Sequence, residues 1–319
     1  MYRPKRDGFT ALLSADTVGV LCGLGAALIW GAWPVVSKFG VRETLSAYDI
    51  AALRFLVAGV LLTPIVVRHR KRVSNWPLAV GLACGAGAPY TLISVGGLGW
   101  APASHGGIIG PSCSMLFSFL GGWLLLHDRP KGRRGLGVAI VATGVLLVGW
   151  SSFHAVDADH QRAWRGDLMF VAAGFLWAGY TVGVRRSGLA PLLATALVAV
   201  ISMVVYLPLY AIFSGLPVLA APPDEILLQG IFQGVLAAIV ALLLHTAAVS
   251  RLGATRAAIF PGLAPGFAVV FSAVLLGEGL TVWEVAGVGI VSLGMLIALN
   301  VPLGLPKRRV PASAVLPRD

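Results

Sequence analysis

From residue 18 to residue 301 the chain reads as ten apolar stretches separated by short polar breaks. They cover 18–38, 47–67, 76–98, 103–126, 132–150, 166–185, 190–214, 225–249, 254–276 and 282–301. A helix rises about 1.5 Å per residue, so about 20 apolar residues cross the roughly 30 Å hydrocarbon core of a bilayer. The runs are continuous and lack the alternation of a transmembrane strand, so the pattern predicts helices and not a barrel. The longest polar break, Ser151–Arg165, is too short to hold a domain. The fold class that follows is an all-α integral membrane protein with ten transmembrane helices.

Composition agrees with the pattern. The 319 residues are 57% hydrophobic and only 12% charged, against about 25% charged in a soluble domain. So few charges cannot cover that much apolar surface in water, which excludes a soluble enzyme and a disordered chain. The net charge of +11 does not point to nucleic acid, because the basic clusters are not interleaved with aromatic stacking platforms. Their placement fixes topology instead. With the N-terminus in the cytoplasm, 19 Lys and Arg fall on the inner side and 4 on the outer, the bias that orients membrane proteins. The expected location is the cell (inner) membrane, multi-pass, with both termini cytoplasmic. The first span reads as a retained helix rather than a cleaved signal. Cys22, Cys84 and Cys113 all lie in apolar spans and read as packing residues, with no metal spacing and no cofactor motif.

Shifting the chain by 150 residues overlays 109–146 on 259–296 with eleven identities, among them Pro111/Pro261, Gly137/Gly287, Val141/Val291 and Gly144/Gly294. Asp128 meets Glu278 in the same register, and Trp30 meets Trp177 at a shift of 147. Each half holds five spans, an odd number, so the second half must enter the membrane from the opposite side. The expected organisation is a repeat in 1–150, a second in 166–301 and a basic cytoplasmic tail, 302–319, the two repeats being inverted.

The run from Ala257 to Pro261, the ending Leu276-Gly277-Glu278 and the Gly-spaced last helix with Gly287-Val288-Gly289 resemble the EamA repeat of the drug/metabolite transporter superfamily. Leu53-Arg54-Phe55 is similar to that repeat's Arg-Phe step. The resemblance covers about residues 18–301. It implies alternating access, with export as the direction. The halves depart from one another: His127-Asp128 stands where the second half has Gly277-Glu278, and span 7 carries an apolar stretch near Ile201 in place of Arg54. Small multidrug-resistance relatives exchange protons for cationic drugs through a membrane-buried Glu. Here Asp49, Asp167, Glu225, Glu278 and Glu284 all fall near span ends, which disfavours that chemistry.

Arg54 lies within span 2, where a cation is costly unless paired, wet or able to snorkel. It is a candidate anchor for a carboxylate or phosphate, or a snorkelling structural residue. Asp49, five residues away, faces another side of the helix. Trp30 and Trp33 in span 1 and Trp177 and Tyr180 in span 6 sit away from the interfacial belt, either as packing or as cavity lining. Tyr90, on the Gly-rich stretch of span 3, and Gln233 of span 8 complete the candidate substrate-binding set. Pro89, Gly110, Pro111, Pro261 and Pro265 are candidate hinge and pocket backbone. His105 and His245 are candidate proton carriers.

The expected function is secondary transport of a small organic metabolite, of amino-acid or organic-acid type, with the lipid bilayer and that substrate as partners. Monomer and homodimer both remain open. The alternatives are an intramembrane enzyme, for which no paired site is present, and a channel or scaffold. The topology is testable. In a background lacking the three native cysteines, a single cysteine at Ser313 is expected to resist an impermeant thiol reagent added to intact cells, and one at Ser152 to react. Reaction at Ser313 from outside overturns the orientation.

Overall fold

The computed structural model describes residues 15–73, 75–128, 132–153 and 162–299. The basic tail, with Ser313, and residues 154–161 of the longest turn lie outside the described residues. Span 1 is Ala15–Arg42, span 2 Ala47–His69, span 4 Ala103–Leu126, span 5 Gly132–Phe153, span 6 Ala163–Ser187, span 7 Pro191–Ser214 and span 10 Val282–Ala298. Three spans are composite. Span 3 joins Trp76–Ala86 to Ala88–Leu98, and span 8 runs Pro223–Ile231, π-helical Phe232–Val240, then Ala241–Leu252. Span 9 joins Ala254–Ala257 to Ile259–Leu276. Nine of these are long and apolar enough to cross a membrane, and the tenth, Val282–Ala298, is apolar but only 17 residues long. Large apolar side chains such as Phe213, Ile212 and Leu146 are exposed on the outside of the bundle, as a surface solvated by lipid tails requires.

Local chemistry explains the ends. Ser46 and Asp49 form a capping box at span 2, and Thr281 and Glu284 form another at span 10, each satisfying two orphan N–H groups. Span 4 ends on His127 at φ 57° and span 9 on Gly277 at φ 65°. The departure between the halves at this position is therefore conservative in backbone: histidine occupies the left-handed cap that glycine fills elsewhere, at a cost of about 1–2 kcal/mol.

Of the candidate prolines, Pro89 follows the main break directly, in the first turn of Ala88–Leu98. Pro111 and Pro265 sit inside continuous helices. Span 3 breaks at Gly87, where a Cβ would lie 2.1 Å from Ser202 Oγ and 2.3 Å from the Ala83 carbonyl oxygen. The Ala88 N–H, freed by the break, donates to Ser202 Oγ of span 7 at 3.3 Å. Hydrocarbon could not have supplied that acceptor.

Span 5 packs on span 10, span 2 on span 7, span 4 on span 6, span 9 on span 1, span 1 on span 8, and span 6 on span 3. Exchanging each span for the one five places along leaves this set unchanged. The crossing of spans 5 and 10 repeats the exchange at atomic scale. A Cβ on Gly144 would lie 2.7 Å from Val291 Cγ2 and 3.0 Å from the Gly287 carbonyl oxygen. A Cβ on Gly294 would lie 2.8 Å from Val141 Cγ2 and 2.9 Å from the Gly137 carbonyl oxygen. Small residues let two backbones approach where no hydrophobic force drives helices together.

Gly144→Ala and Gly294→Ala are each expected to lower stability by about 1–3 kcal/mol, because a methyl group must part the helices. Together they should cost less than their sum, since the first already opens the crossing. Gly266→Ala, whose Cβ meets nothing within 4 Å, is the control expected to be neutral or slightly stabilising. Thermal midpoints in detergent check all three.

Candidate functional site

Span 2 carries Arg54 into the bundle, where its guanidinium lies 6.0 Å from the Trp33 ring centroid and 5.9 Å from that of Phe55. It donates a long hydrogen bond, 3.4 Å, to Gln233 Oε1. The same oxygen accepts the Trp33 Nε1–H at 2.7 Å. Gln233 is fully buried and spends its amide hydrogens on Ser37 Oγ at 2.9 Å and Gln229 Oε1 at 3.2 Å. Gln229 in turn donates to the Val36 carbonyl at 2.7 Å. The π-helical stretch that begins at Phe232 widens span 8 just where Gln233 projects, a distortion common at functional sites.

From this polar node an aromatic chain crosses the bundle. Trp33 stacks on Tyr90 with centroids 6.4 Å apart, Tyr90 meets Trp177 at 4.9 Å, and Trp177 meets Tyr180 at 5.5 Å. Tyr90 stands one turn past the break at Gly87, with Pro89 in the first turn of the second half-helix. The structure thus brings Arg54, Trp33, Tyr90, Trp177, Tyr180 and Gln233 into one continuous cluster drawn from spans 1, 2, 3, 6 and 8. Trp30 instead packs beside His245, 5.4 Å between centroids, and the buried His245 Nδ1 has no hydrogen-bond partner. Gly110 and Pro111 are not part of the cluster: the Gly110 carbonyl abuts Gly174 of span 6, and Pro111 is exposed. Pro261 lies in the first turn of Ile259–Leu276, and Pro265 is buried within that helix.

Among the described residues, no carboxylate lies within ion-pair distance of Arg54. Asp49 is occupied elsewhere, accepting from Ser46 Oγ at 2.6 Å and from the Tyr210 hydroxyl. The cation is held by an amide oxygen and aromatic faces, an arrangement with room in its electrostatics for an anion.

A second polar assembly closes one end of the bundle. Lys38 donates to the Leu98 and Ala101 carbonyls at 2.8 and 2.7 Å and lies 3.8 Å from Glu278. Arg42 reaches the same carboxylate at 3.2 Å, which also accepts from the Ala103 N–H at 2.8 Å and from Ser272 Oγ. Beside it His105 stands between two acids, Nδ1 2.8 Å from Asp167 and Nε2 3.2 Å from Glu284. At the opposite, basic end, Arg185 pairs with Asp128 at 2.7 Å and Arg256 with Asp16 at 3.6 Å, all four well exposed. Exposed pairs contribute about 0–1 kcal/mol, so the two ends are fastened very unequally. In the repeat registers Asp128 corresponds to Glu278 and Arg185 to Lys38, so the same pair is buried at one end and wet at the other.

The model of the EamA-like transporter family matches residues 17–150 and 164–300. The chain belongs to the EamA-like transporter family. An uncharacterized transporter of Archaeoglobus fulgidus is 27% identical over 264 residues, 79% of this chain and 86% of the relative. An uncharacterized transporter of Synechocystis sp. is 26% identical over 186 residues, 56% of this chain and 53% of that one. A solved crystal structure matches 88% of this chain and 96% of its own with TM-score 0.58 at 16% identity, a likeness of fold.

In this EamA-like transporter the sequence pattern had placed Asp167 and Glu284 near span ends without assigning them a partner. Their approach to His105 depends on three different spans and left only one local trace, the Thr281-x-x-Glu284 capping box. Ser152 is also part of this assembly, buried and donating to Asp167. An outside labelling probe therefore belongs at exposed Leu219 rather than at Ser152. Gln233 is the hub of the central cluster, and Gln233→Ala strands Trp33 Nε1 and Gln229 Oε1, while Gln229 Nε2 keeps the Val36 carbonyl. The substitution is expected to cost about 1–3 kcal/mol in unfolding measured in detergent, whereas Gln→Ala at an exposed site would be near neutral.

Proposed function

We propose that this EamA-like transporter is a secondary carrier that moves a small anionic or zwitterionic organic metabolite, such as an amino acid or organic acid, by alternating access. The observation that carries the reading is Arg54: a guanidinium inside the bundle, beside an aromatic chain and a helix break, without a carboxylate partner among the described residues. Guanidinium binds a carboxylate in a bidentate fork, and Tyr90 and Trp177 offer flat faces to the rest of the solute. A broken helix next to such residues is the arrangement carriers use for midplane sites, because unwound backbone there faces a cavity.

The two halves, 1–150 and 166–301, act in this reading as inverted repeats that rock against each other. The span pairing that survives exchange of the halves, and the reciprocal crossing at Gly144 and Gly294, support it. The basic end faces the cytoplasm by the charge bias, and the closed, latched end faces outward. Outward transport follows the resemblance of the repeat to exporters of the superfamily.

A second reading has its own observation: Gln233 and the Trp33 face already contact Arg54, so the cation could serve packing alone. Substitution separates the two. Arg54→Gln removes a charge-assisted bond worth about 1.5–3 kcal/mol and is expected to raise the half-saturation concentration about ten- to a hundred-fold. Arg54→Lys keeps the charge but loses the fork, and should fold normally while transporting poorly. The measurement is concentration-dependent uptake of a panel of labelled amino acids and organic acids into proteoliposomes, normalised to folded protein. Wild-type flux from Arg54→Lys assigns the residue to packing and removes the argument for an acidic cargo.

A further inference from the structure

The closed end of the bundle contains a titratable assembly that substrate binding at Arg54 does not use. His105 of span 4 is buried, as are Asp167 of span 6 and Glu284 of span 10. The imidazole meets a carboxylate at each nitrogen, Asp167 at Nδ1 and Glu284 at Nε2. Ser152 of span 5 donates to the far oxygen of Asp167, and Ser104 donates to Glu284 at 2.7 Å. A neutral imidazole has one N–H and one lone pair. With a carboxylate on both sides, only the doubly protonated ring offers each acid a hydrogen.

The neighbouring groups make the proton count matter. Residues 103 to 105 link this triad to the other latch, since the Ala103 N–H binds Glu278 while Ser104 and His105 bind Glu284. Span 1 contributes Lys38 and Arg42, both on Glu278. Arg165, at the start of span 6, lies over the Trp100 and Trp164 rings, 5.1 and 5.6 Å from their centroids, and not in the assembly. The assembly therefore holds three cations, Lys38, Arg42 and His105, against three anions, Asp167, Glu278 and Glu284, when His105 is charged. Removing one proton leaves an uncompensated negative charge in a buried site, which is strongly unfavourable.

We propose that His105, Asp167 and Glu284 form a proton-binding site whose occupancy holds the latched end closed, so that transport is linked to the proton. The proposal rests on the alternating-access reading. One proton and one charge move: the imidazolium gives its proton to water, and the two carboxylates then face a neutral ring. The neutral ring keeps one N–H, so one of spans 6 and 10 loses its imidazole bond to span 4 while Ser104 still holds Glu284, and hydration of the acid left without the imidazole hydrogen favours the open end. Sign follows directly. The proton-bound, closed form prevails at low pH, and the open form gains as pH rises through the dissociation of the site, by at most about tenfold per pH unit for a single proton.

The test reads conformation without any substrate. In a background with Cys22, Cys84 and Cys113 replaced, a single cysteine is placed at Ile109, one turn below His105 and buried. Its labelling by an impermeant maleimide added to intact cells is divided by that of a cysteine at exposed Leu219, which cancels the thiolate's own pH dependence. The ratio is expected to rise several-fold with external pH between about pH 5 and about pH 9. His105→Gln should abolish the dependence. Glu284→Gln and Asp167→Asn should move it to lower pH, because one carboxylate fewer holds the proton, and they serve if His105→Gln does not fold. A flat wild-type ratio, whether low or high throughout, overturns the proposal, as does an unchanged dependence in His105→Gln. Neither outcome touches the Arg54 flux experiment, so failure of the proton site is distinguishable from failure of the transport reading.

Discussion

Hydrocarbon offers no hydrogen-bond partner, and that constraint organises the interior of this protein. A polar group carried into the bundle must find its partner on another span or remain stranded. Gln233 answers Trp33, Arg54, Ser37 and Gln229 at once. Ser202 answers the backbone donor released at Gly87. Glu278 collects Lys38, Arg42, Ser272 and the Ala103 N–H. The remaining orphans are few among the described residues: Thr91, Ser112 and His245 each keep a buried polar atom without a partner.

Because lipid tails are as apolar as leucine, helix association here relies on close fit and on those polar ties. Glycine supplies the fit. At the crossing of spans 5 and 10 it brings backbone to within van der Waals contact of backbone, in two equivalent places. The polar ties are distributed less evenly. One end is fastened by two neighbouring groups, Lys38 and Arg42 on Glu278 and His105 between Asp167 and Glu284, the other by two exposed pairs worth little in water. The two related halves present an equivalent pair, Lys38–Glu278 and Arg185–Asp128, at each end, which the proposed alternating access would fasten in turn.

The central cluster and the latch use charge differently. Among the described residues Arg54 is a cation without an anion of its own, an expensive state inside a membrane protein. His105 is the reverse: a ring set between two carboxylates, to each of which it offers a hydrogen only when doubly protonated. In the proposed reading the first arrangement selects what binds, and the second ties a proton to the shape of the molecule.

The ten apolar runs, the bias of 19 basic residues to 4 and the 150-residue register of Pro111/Pro261 and Gly144/Gly294 determined the membrane class, the span count and the family likeness. These are local or periodic signals, and a bilayer makes them strong because spanning needs length and apolarity above all. The oddity of Arg54, Trp33, Trp177 and Tyr180 was also legible, since polar or aromatic residues deep in a span stand out against lipid. What those residues touch was not. Gln233 meets Arg54 across 179 positions and Trp33 across 200, distances over which no periodicity carries information. The sequence offered Pro and Gly positions in spans 3, 4 and 9 alike as hinges, Pro89 among them; tertiary packing put the span 3 break at Gly87, two residues before Pro89, where Ser202 takes over the lost backbone bond. Asp167 and Glu284 read as ordinary charges at span ends until the folding of spans 4, 6 and 10 set them on either side of His105. Their role depends on burial and on partners from other helices, and only the assembled bundle decides either.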